Sequence, residues 1–335
     1  MKKFICLMLA LVMVLSLAAC GEKSPAENDE PVVLKVGSQG APDSLEVQTI
    51  NNFAQLVNER SGGSLDIQVF PSSQLGSMTD MIEGVTLGTV DLCVVGMSNL
   101  TQICPEYAAY DMWFYDDATD VINVYNSEVG AKLRQTLVEK TGVRMLSYIN
   151  CSAGQMYLWA KKPITTMADF NGLVLRVPGN KSIATALAAL GTTANVPFGD
   201  MYTAAQTGVI DVGSADIATM ISNGFDEVFP YCIEITGNYM PLSLIISDAV
   251  YQGLTEEQQK IIEEAAVEAC QYWDVHQEEV RKGDMDMLEN SKAELVKMDP
   301  AELSKMDDLI HDAIEKYLSA TIDADMIAEI RRITD

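Results

Sequence analysis

Apolar and polar positions along this chain alternate between two rhythms. Val32-Val33-Leu34-Lys35-Val36 is an apolar run fit for a strand, and Gly37 to Asp43 reads as a loop. From Ser44 to Arg60, Leu45, Ile50, Phe53, Leu56 and Val57 recur at helical spacing, and Gly62-Gly63 stops the helix. Leu65-Asp66-Ile67-Gln68-Val69-Phe70 alternates as a half-buried strand does. Ser77, with Asp80 following at capping distance, opens a helix that carries Met81, Ile82 and Val85 and ends at Gly88; Val90 to Val95 follows as a buried strand. The order βαβαβ predicts a parallel sheet with right-handed crossovers.

A second αβ region follows the strand Leu146–Ile149. Its expected strands are Met156–Ala160, Leu173–Val177 and Val209–Val212, with helices at Lys181–Leu190 and Asp200–Thr207. A further strand, Leu242–Ser247, comes after Pro241. Thr255-Glu256-Glu257-Gln258 is a capping box. It opens a helix carrying Ile261, Ile262, Ala265, Ala266, Ala269, Tyr272, Trp273 and Val280. Unbroken to Leu288, that helix spans ~50 Å at ~1.5 Å per residue, more than one small domain, so it is expected to brace two. Acidic helices from Pro300 to Arg332 finish the chain, and no internal repeat is visible.

The N-terminus changes the picture of where this α/β body resides. Met1-Lys2-Lys3 precedes an apolar run from Phe4 to Leu17 and then Leu17-Ala18-Ala19-Cys20. A short basic stretch, an apolar run of this length and small residues before the cut describe a secretory signal over residues 1–19, too short to remain as a membrane span. Cys20 directly after Leu-Ala-Ala resembles a bacterial lipobox; the plainer reading is an ordinary cut near Ala19 with Cys20 incidental. Acyl chains on Cys20 would tether the protein to a membrane surface without spanning it. Residues 20–31 hold the lipidated Cys and a polar, proline-containing flexible tether. About 300 residues remain, enough for two domains of ordinary size.

The formal charge is −26, or −28 once Lys2 and Lys3 are removed. Such a surface repels nucleic acid and anionic lipid, so neither is an expected partner. Capture of a small anion then needs local cations in a recess. Of seven cysteines, Cys6 lies in the signal and Cys20 at the cut, leaving Cys93, Cys104, Cys151, Cys232 and Cys270. Their odd number and wide spacing make neither a disulfide framework nor a zinc pattern, although one bridge stays open.

Catalytic signatures are missing. His276 and His311 both fall in expected helices, and no H-E-x-x-H occurs. Gly96-Met97-Ser98-Asn99-Leu100 fails the nucleophile-elbow pattern at its last position. Gly179-Asn180-Lys181-Ser182 lacks the upstream glycine of a P-loop, and no G-x-G-x-x-G follows a strand. Asp116-Asp117 and Glu278-Glu279 lack calcium-loop spacing. Neither an enzyme nor a cofactor or metal site is expected.

One residue stands out. In Leu173-Val174-Leu175-Arg176-Val177-Pro178-Gly179-Asn180, Leu173, Leu175 and Val177 share one face and Val174 and Arg176 the other. A guanidinium stays charged, so it needs a partner wherever it is buried. Ligands of open parallel sheets bind beyond the carboxyl ends of the strands, where Arg176 lies, and a bidentate Arg–carboxylate pair supplies affinity and orientation. The alternative is a structural salt bridge to an internal Asp or Glu.

Four blocks, in order, resemble the solute-binding subunits of tripartite ATP-independent periplasmic (TRAP) transporters of the DctP type. The first runs from Phe53-Ala54-Gln55-Leu56-Val57 through Ser61-Gly62-Gly63, Val69-Phe70-Pro71-Ser72-Ser73-Gln74-Leu75-Gly76 and Met81-Ile82-Glu83 to Leu87-Gly88-Thr89-Val90-Asp91. The second joins Lys162-Pro163-Ile164 to Asp169-Phe170-Asn171-Gly172-Leu173 and Leu175-Arg176-Val177. The third is Tyr202 with Gln206 and Gly208-Val209-Ile210-Asp211; the fourth is Leu254-Thr255-Glu256-Glu257-Gln258.

The resemblance implies an α/β, two-lobed periplasmic-binding-protein-like fold with a ligand cleft between the lobes and a long shared helix. Lobe I is expected at 32–153 plus 241–281, and lobe II at 154–240 plus 282–335. It implies that Arg176 clamps a carboxylate, that the ligand is a small organic anion and that TRAP membrane permease subunits receive it. It places the protein outside the cytoplasm, periplasmic or lipid-anchored to the outer face of the cell membrane.

Departures from the family pattern matter. A second Arg of sialic-acid-binding members falls on Met156 here. Where many members read Gly-x-Glu-Asn-Pro after Asp211, this chain reads Val212-Gly213-Ser214-Ala215-Asp216, so Ala215 replaces a polar contact and Asp216 beside it becomes a candidate. An acidic contact falls on Gly96. A ligand other than sialic acid, smaller or more apolar, is therefore expected, with Met97, Met156, Trp113 and Phe198 lining one side and Gln39 and Asn238 adding polar contacts. The bland reading of Met97, Met156 and Trp113 is core, and of Gln39 a solvated loop, whereas the position of Phe198 faces the cleft in the family. Service to a sensor kinase instead of a permease, or an extracytoplasmic sugar-acid lyase or hydrolase, stay as rival functions.

Overall fold

The computed structural model describes residues 30–110, 115, 118–149, 156–235 and 241–334. In chain order its first part comprises β1 (Val32–Gly37), α1 (Leu45–Arg60), β2 (Leu65–Phe70), α2 (Met78–Leu87), β3 (Leu92–Gly96), α3 (Ala118–Asn126), α4 (Glu128–Thr141) and β4 (Val143–Ile149). Then come β5 (Tyr157–Ala160), β6 (Val174–Val177), α5 (Lys181–Ala188), β7 (Thr192–Asn195), α6 (Met201–Gln206), β8 (Val212–Ala215), α7 (Ile217–Ser222) and β9 (Tyr231–Glu234). The last part holds β10 (Leu242–Ser247), α8 (Asp248–Gly253), α9 (Glu256–Glu289), β11 (Glu294–Lys297), α10 (Pro300–Thr321) and α11 (Ala324–Thr334).

Two sheets organise these elements. The first has the order β2-β1-β3-β10-β4, the second β11-β9-β5-β8-β6-β7. In the first, β1 pairs in parallel with β2 and β3, as the βαβαβ pattern predicts. β10, arriving from far along the chain, pairs antiparallel with both β3 and β4. The chain thus leaves the first sheet after β4 and re-enters it at β10, so the two α/β lobes are joined by crossing segments.

Local chemistry fixes the helix ends. Ser77 and Asp80 form a reciprocal capping box at α2, and Gly88 closes that helix in the left-handed region at φ 72°. Thr255 and Gln258 cap α9 in the same way. α9 runs unbroken for 34 residues, ~50 Å long. Its Ile262, Ala265, Ala266, Ala269 and Trp273 enter the core of the first sheet with Phe53 and Val57, while Leu288 enters the core of the second with Trp159 and Phe229. The helix is therefore shared by both lobes. A third apolar cluster runs from Met97, Leu100 and Tyr107 to Phe170, Leu175 and Ile310, continuous across the two lobes.

One expected strand is displaced. Val209–Val212 was the anticipated span, but β8 begins only at Val212. Val209 and Ile210 instead donate to the Ala204 carbonyl in a helix-ending turn around Gly208, at φ 81°. Val209 is left exposed. Cys93, Cys104, Cys232 and Cys270 are free thiols, and burial pushes Cys104 up to about 12; Cys151 lies outside the described residues.

Candidate functional site

β6 carries Leu175 and Val177 into the core shared with Phe170 and Leu187, while Val174 packs with the cluster around Trp159, Val196 and Met201. Arg176, on the same face as Val174, is only 6% exposed. Its Nε donates to the Val196 carbonyl at 2.8 Å. Its guanidinium carbon stands 6.0 Å from the centre of the Phe198 ring, which meets Phe225 edge-on at 5.3 Å. Burial pulls the guanidinium pKa down to about 10, still well above neutrality. Among the described residues no carboxylate forms an ion pair with Arg176, and its two Nη groups donate to none of them. A buried cation held by one neutral hydrogen bond is costly unless something else completes its shell.

The loop after β1 leads into α1, whose Glu46 lies within electrostatic reach of Asp216 just past β8. The buried Ser38 hydroxyl donates to the Glu46 carboxylate in the first turn of α1, and the Gly40 N–H donates to Ser38 Oγ at 2.9 Å. A Cβ on Gly40 would stand 2.7 Å from Ser44 Oγ, so the loop needs glycine there. Burial holds the Glu46 carboxyl above its ordinary range; the Ser38 and Gly40 hydrogen bonds oppose that, and the negative charge of Asp216 adds to it. Asp216 follows β8, caps α7 by accepting from the Thr219 N–H at 2.8 Å, and is half-buried. Burial, reinforced by Asp216, raises Asp284 of α9 to about 7. Glu46 and Asp284 thus each sit within electrostatic reach of Asp216.

A polar contact joins the lobes directly beyond Arg176. Asn180 follows the Pro178-Gly179 turn and is buried; its Oδ1 accepts from the N–H groups of Ser182 at 2.9 Å and Ile183 at 3.1 Å, capping α5. Its Nδ2 donates to Asn99 Oδ1 at 2.8 Å and Ser98 Oγ at 3.2 Å, both in the turn after β3 of the first sheet. The two backbone donors fix the amide's orientation, since a flipped side chain would set its NH2 against them. A Cβ on the adjacent Gly179 would lie 3.4 Å from Thr79 Oγ1 at the start of α2. The carboxyl ends of β1 and β3 therefore face those of β6 and β8, the position at which open α/β sheets take their ligands.

Residues 36–320 match the sequence profile of the bacterial extracellular solute-binding proteins, family 7, named DctP. The chain belongs to this family. DctP proteins are substrate-binding proteins of transport systems, not enzymes. The C4-dicarboxylate-binding periplasmic protein DctP of Rhodobacter capsulatus is 24% identical over 309 residues, 91% of this chain and 92% of that one. A TRAP periplasmic solute-binding protein of Roseobacter denitrificans, solved with bound L-galactonate, superposes with a TM-score of 0.80 at 25% identity, covering 91% of this chain and 99% of that one. One from Desulfovibrio salexigens, solved with bound orotic acid, gives 0.82 at 25% identity, covering 90% and 98%. This DctP chain is thus a TRAP solute-binding protein with the two-lobed α/β fold.

Of the side chains singled out in the sequence of this DctP protein, the structure brings Arg176 and Phe198 together. Met156 is half-buried and packs on the same cluster as Phe198. Gln39 is half-buried in the loop beside Ser38. Met97 has no exposed surface and belongs to the core with Leu100 and Tyr107, because it begins the turn after a wholly buried strand. Trp113 and Asn238 lie outside the described residues. Glu46, Asp284 and the trio Ser98, Asn99 and Asn180 were not anticipated. For Asn180 a cap signal was present, an Asn just before a helix; its second role needs the tertiary fold.

Proposed function

We propose that this protein captures a small organic carboxylate, an organic acid or a sugar acid, between its lobes and delivers it to a TRAP-type permease. The observation that carries this reading is Arg176, a buried guanidinium near the end of a parallel strand whose Nη donors find no carboxylate among the described residues. A ligand carboxylate completes that shell with two parallel charge-assisted hydrogen bonds. The relatives crystallised with L-galactonate and orotic acid hold ligands that each contain an acid group. In this reading Phe198 packs beside the clamp, Met156 flanks it, and Gln39 and Asp216 offer polar contacts to the rest of the ligand. Lobe I comprises 32–153 plus 241–281 and lobe II 154–240 plus 282–335, closing on the ligand because it binds the closed form better. Residues 1–19 act as a secretory signal and acylation of Cys20 holds the protein at the outer face of the membrane, with 20–31 as tether; the Leu17-Ala18-Ala19-Cys20 pattern supports this.

The test is thermal stabilisation of refolded protein by a panel of acids, each paired with its neutral amide or lactone. One acid should raise the melting temperature while its neutral partner does not. Equal shifts from acid and neutral partner would remove the carboxylate from the reading.

A further inference from the structure

Asn180 serves two masters at once. One side of its amide caps α5 and the other side bonds the opposite lobe, with Ser98, Asn99 and Asn180 all buried. The backbone N–H groups of Ser182 and Ile183 keep the cap in place whatever the lobes do, since cap and helix belong to one lobe. The contacts to Ser98 and Asn99 exist only while the lobes are together. When the lobes part, these groups pass to water and lose nothing by it. When they meet, each must find a protein partner or stay buried and unpaired. This bond lies four positions past Arg176 on the same strand–turn–helix unit.

We propose that Asn180, with Asn99 and Ser98, is a latch that sets the balance between open and closed lobes, and so is a positioning residue that controls how long a ligand is held without touching it. The proposal rests on capture between the lobes; it does not require the ligand to be a carboxylate. It predicts that the latch acts on release more than on capture, because the open protein meets its ligand before the latch forms.

Two single variants and their combination test it. Asn180→Ser keeps a good cap residue for α5 but is too short to reach the other lobe. Asn99→Ala removes the nearer of the two acceptors on the other side, keeps Ser98 Oγ, and leaves α5 untouched. Labels on noncanonical residues at positions 59 and 203, both exposed and one on each lobe, report the interlobe distance without using the native cysteines. Measurements are made on the full mature protein alone and with L-galactonate, orotate or succinate as probes. The wild type should populate a short distance. Each variant should shift the population to longer distances at a melting temperature close to wild type. The double variant should shift it no further than Asn180→Ser alone, because that variant already removes both contacts. For any probe that binds, dissociation should speed up by roughly tenfold or more with little change in association. Unchanged distances, additive effects, or no short-distance population in the wild type with or without the probes would overturn the latch. A failure of all three probes to bind, with the distances still shifting, would instead count against the carboxylate reading alone.

Discussion

Replacing Arg176 by methionine should move stability and binding in opposite directions. The guanidinium is 6% exposed, donates one hydrogen bond to Val196, and pairs with no described carboxylate. Methionine matches much of its length and has no charge to desolvate. Exchanging buried ionic groups for apolar ones of similar volume is often neutral or stabilising by about 1–4 kcal/mol. The Val196 carbonyl loses its donor, at a cost of about 1–3 kcal/mol. Arg176 has no ion-pair partner to lose among the described residues, so the upper part of that first range applies, and the balance is a gain on the order of 1 kcal/mol, or a rise of about 2–4 °C in the ligand-free melting temperature. Binding moves the other way: loss of a buried charge pair costs about 2–5 kcal/mol, roughly thirty- to several-thousand-fold in affinity. The assay is thermal unfolding of wild type and Arg176→Met, each alone and with the acid that stabilises the wild type most. At about 100 times Kd the wild type gains about 2.7 kcal/mol from ligand, and the variant should gain almost none. If Arg176→Met melts several degrees lower without ligand, the residue holds the fold together and the reasoning fails. A retained ligand-induced shift would refute it equally.

Three further outcomes follow from other parts of the structure. Burial and Asp216 raise Asp284 from 3.8 to about 7, so the folded protein binds that proton more tightly than the unfolded chain and loses stability as pH rises across this interval. Asp284→Asn should therefore melt above the wild type at pH 8, with the gap closing toward pH 4; a gap independent of pH would contradict the assignment. A Cβ on Gly37 would stand 2.6 Å from the buried Met81 sulfur, so Gly37→Ala should cost about 1–3 kcal/mol, seen as a lower urea midpoint with unchanged slope. Cys20→Ser should abolish incorporation of labelled palmitate and release the protein from the membrane fraction; unchanged partitioning would dispose of the lipid anchor.

The parallel start of the first sheet, the capping boxes and α9 were legible because each rests on local periodicity and cap chemistry. The faces of β6 were legible too, since alternation alone places Leu175 and Val177 opposite Val174. Four-residue strands such as β7 and β9 were not: Thr192–Asn195 has no apolar alternation, and Tyr231–Glu234 is too short for a period to register. β8 was misplaced because Val209 and Ile210 are as apolar as a strand, while the turn at Gly208 spends their N–H groups on Ala204. Arg176 declared itself as a charge within an apolar run. Glu46 and Asp284 look like ordinary acids on acidic helices, and only their burial in the folded protein, with Asp216 nearby, sets them apart. Asn99 and Asn180 are 81 positions apart, and no pattern in one chain links them.

The central claim is that Arg176 receives the carboxylate of the ligand. It is tested most directly by a crystal structure of the protein with the acid that stabilises it. The account predicts both carboxylate oxygens on the two Nη groups of Arg176, at about 2.7–2.9 Å. A bound acid whose carboxylate lies elsewhere, with Arg176 paired to a protein Asp or Glu, would contradict it.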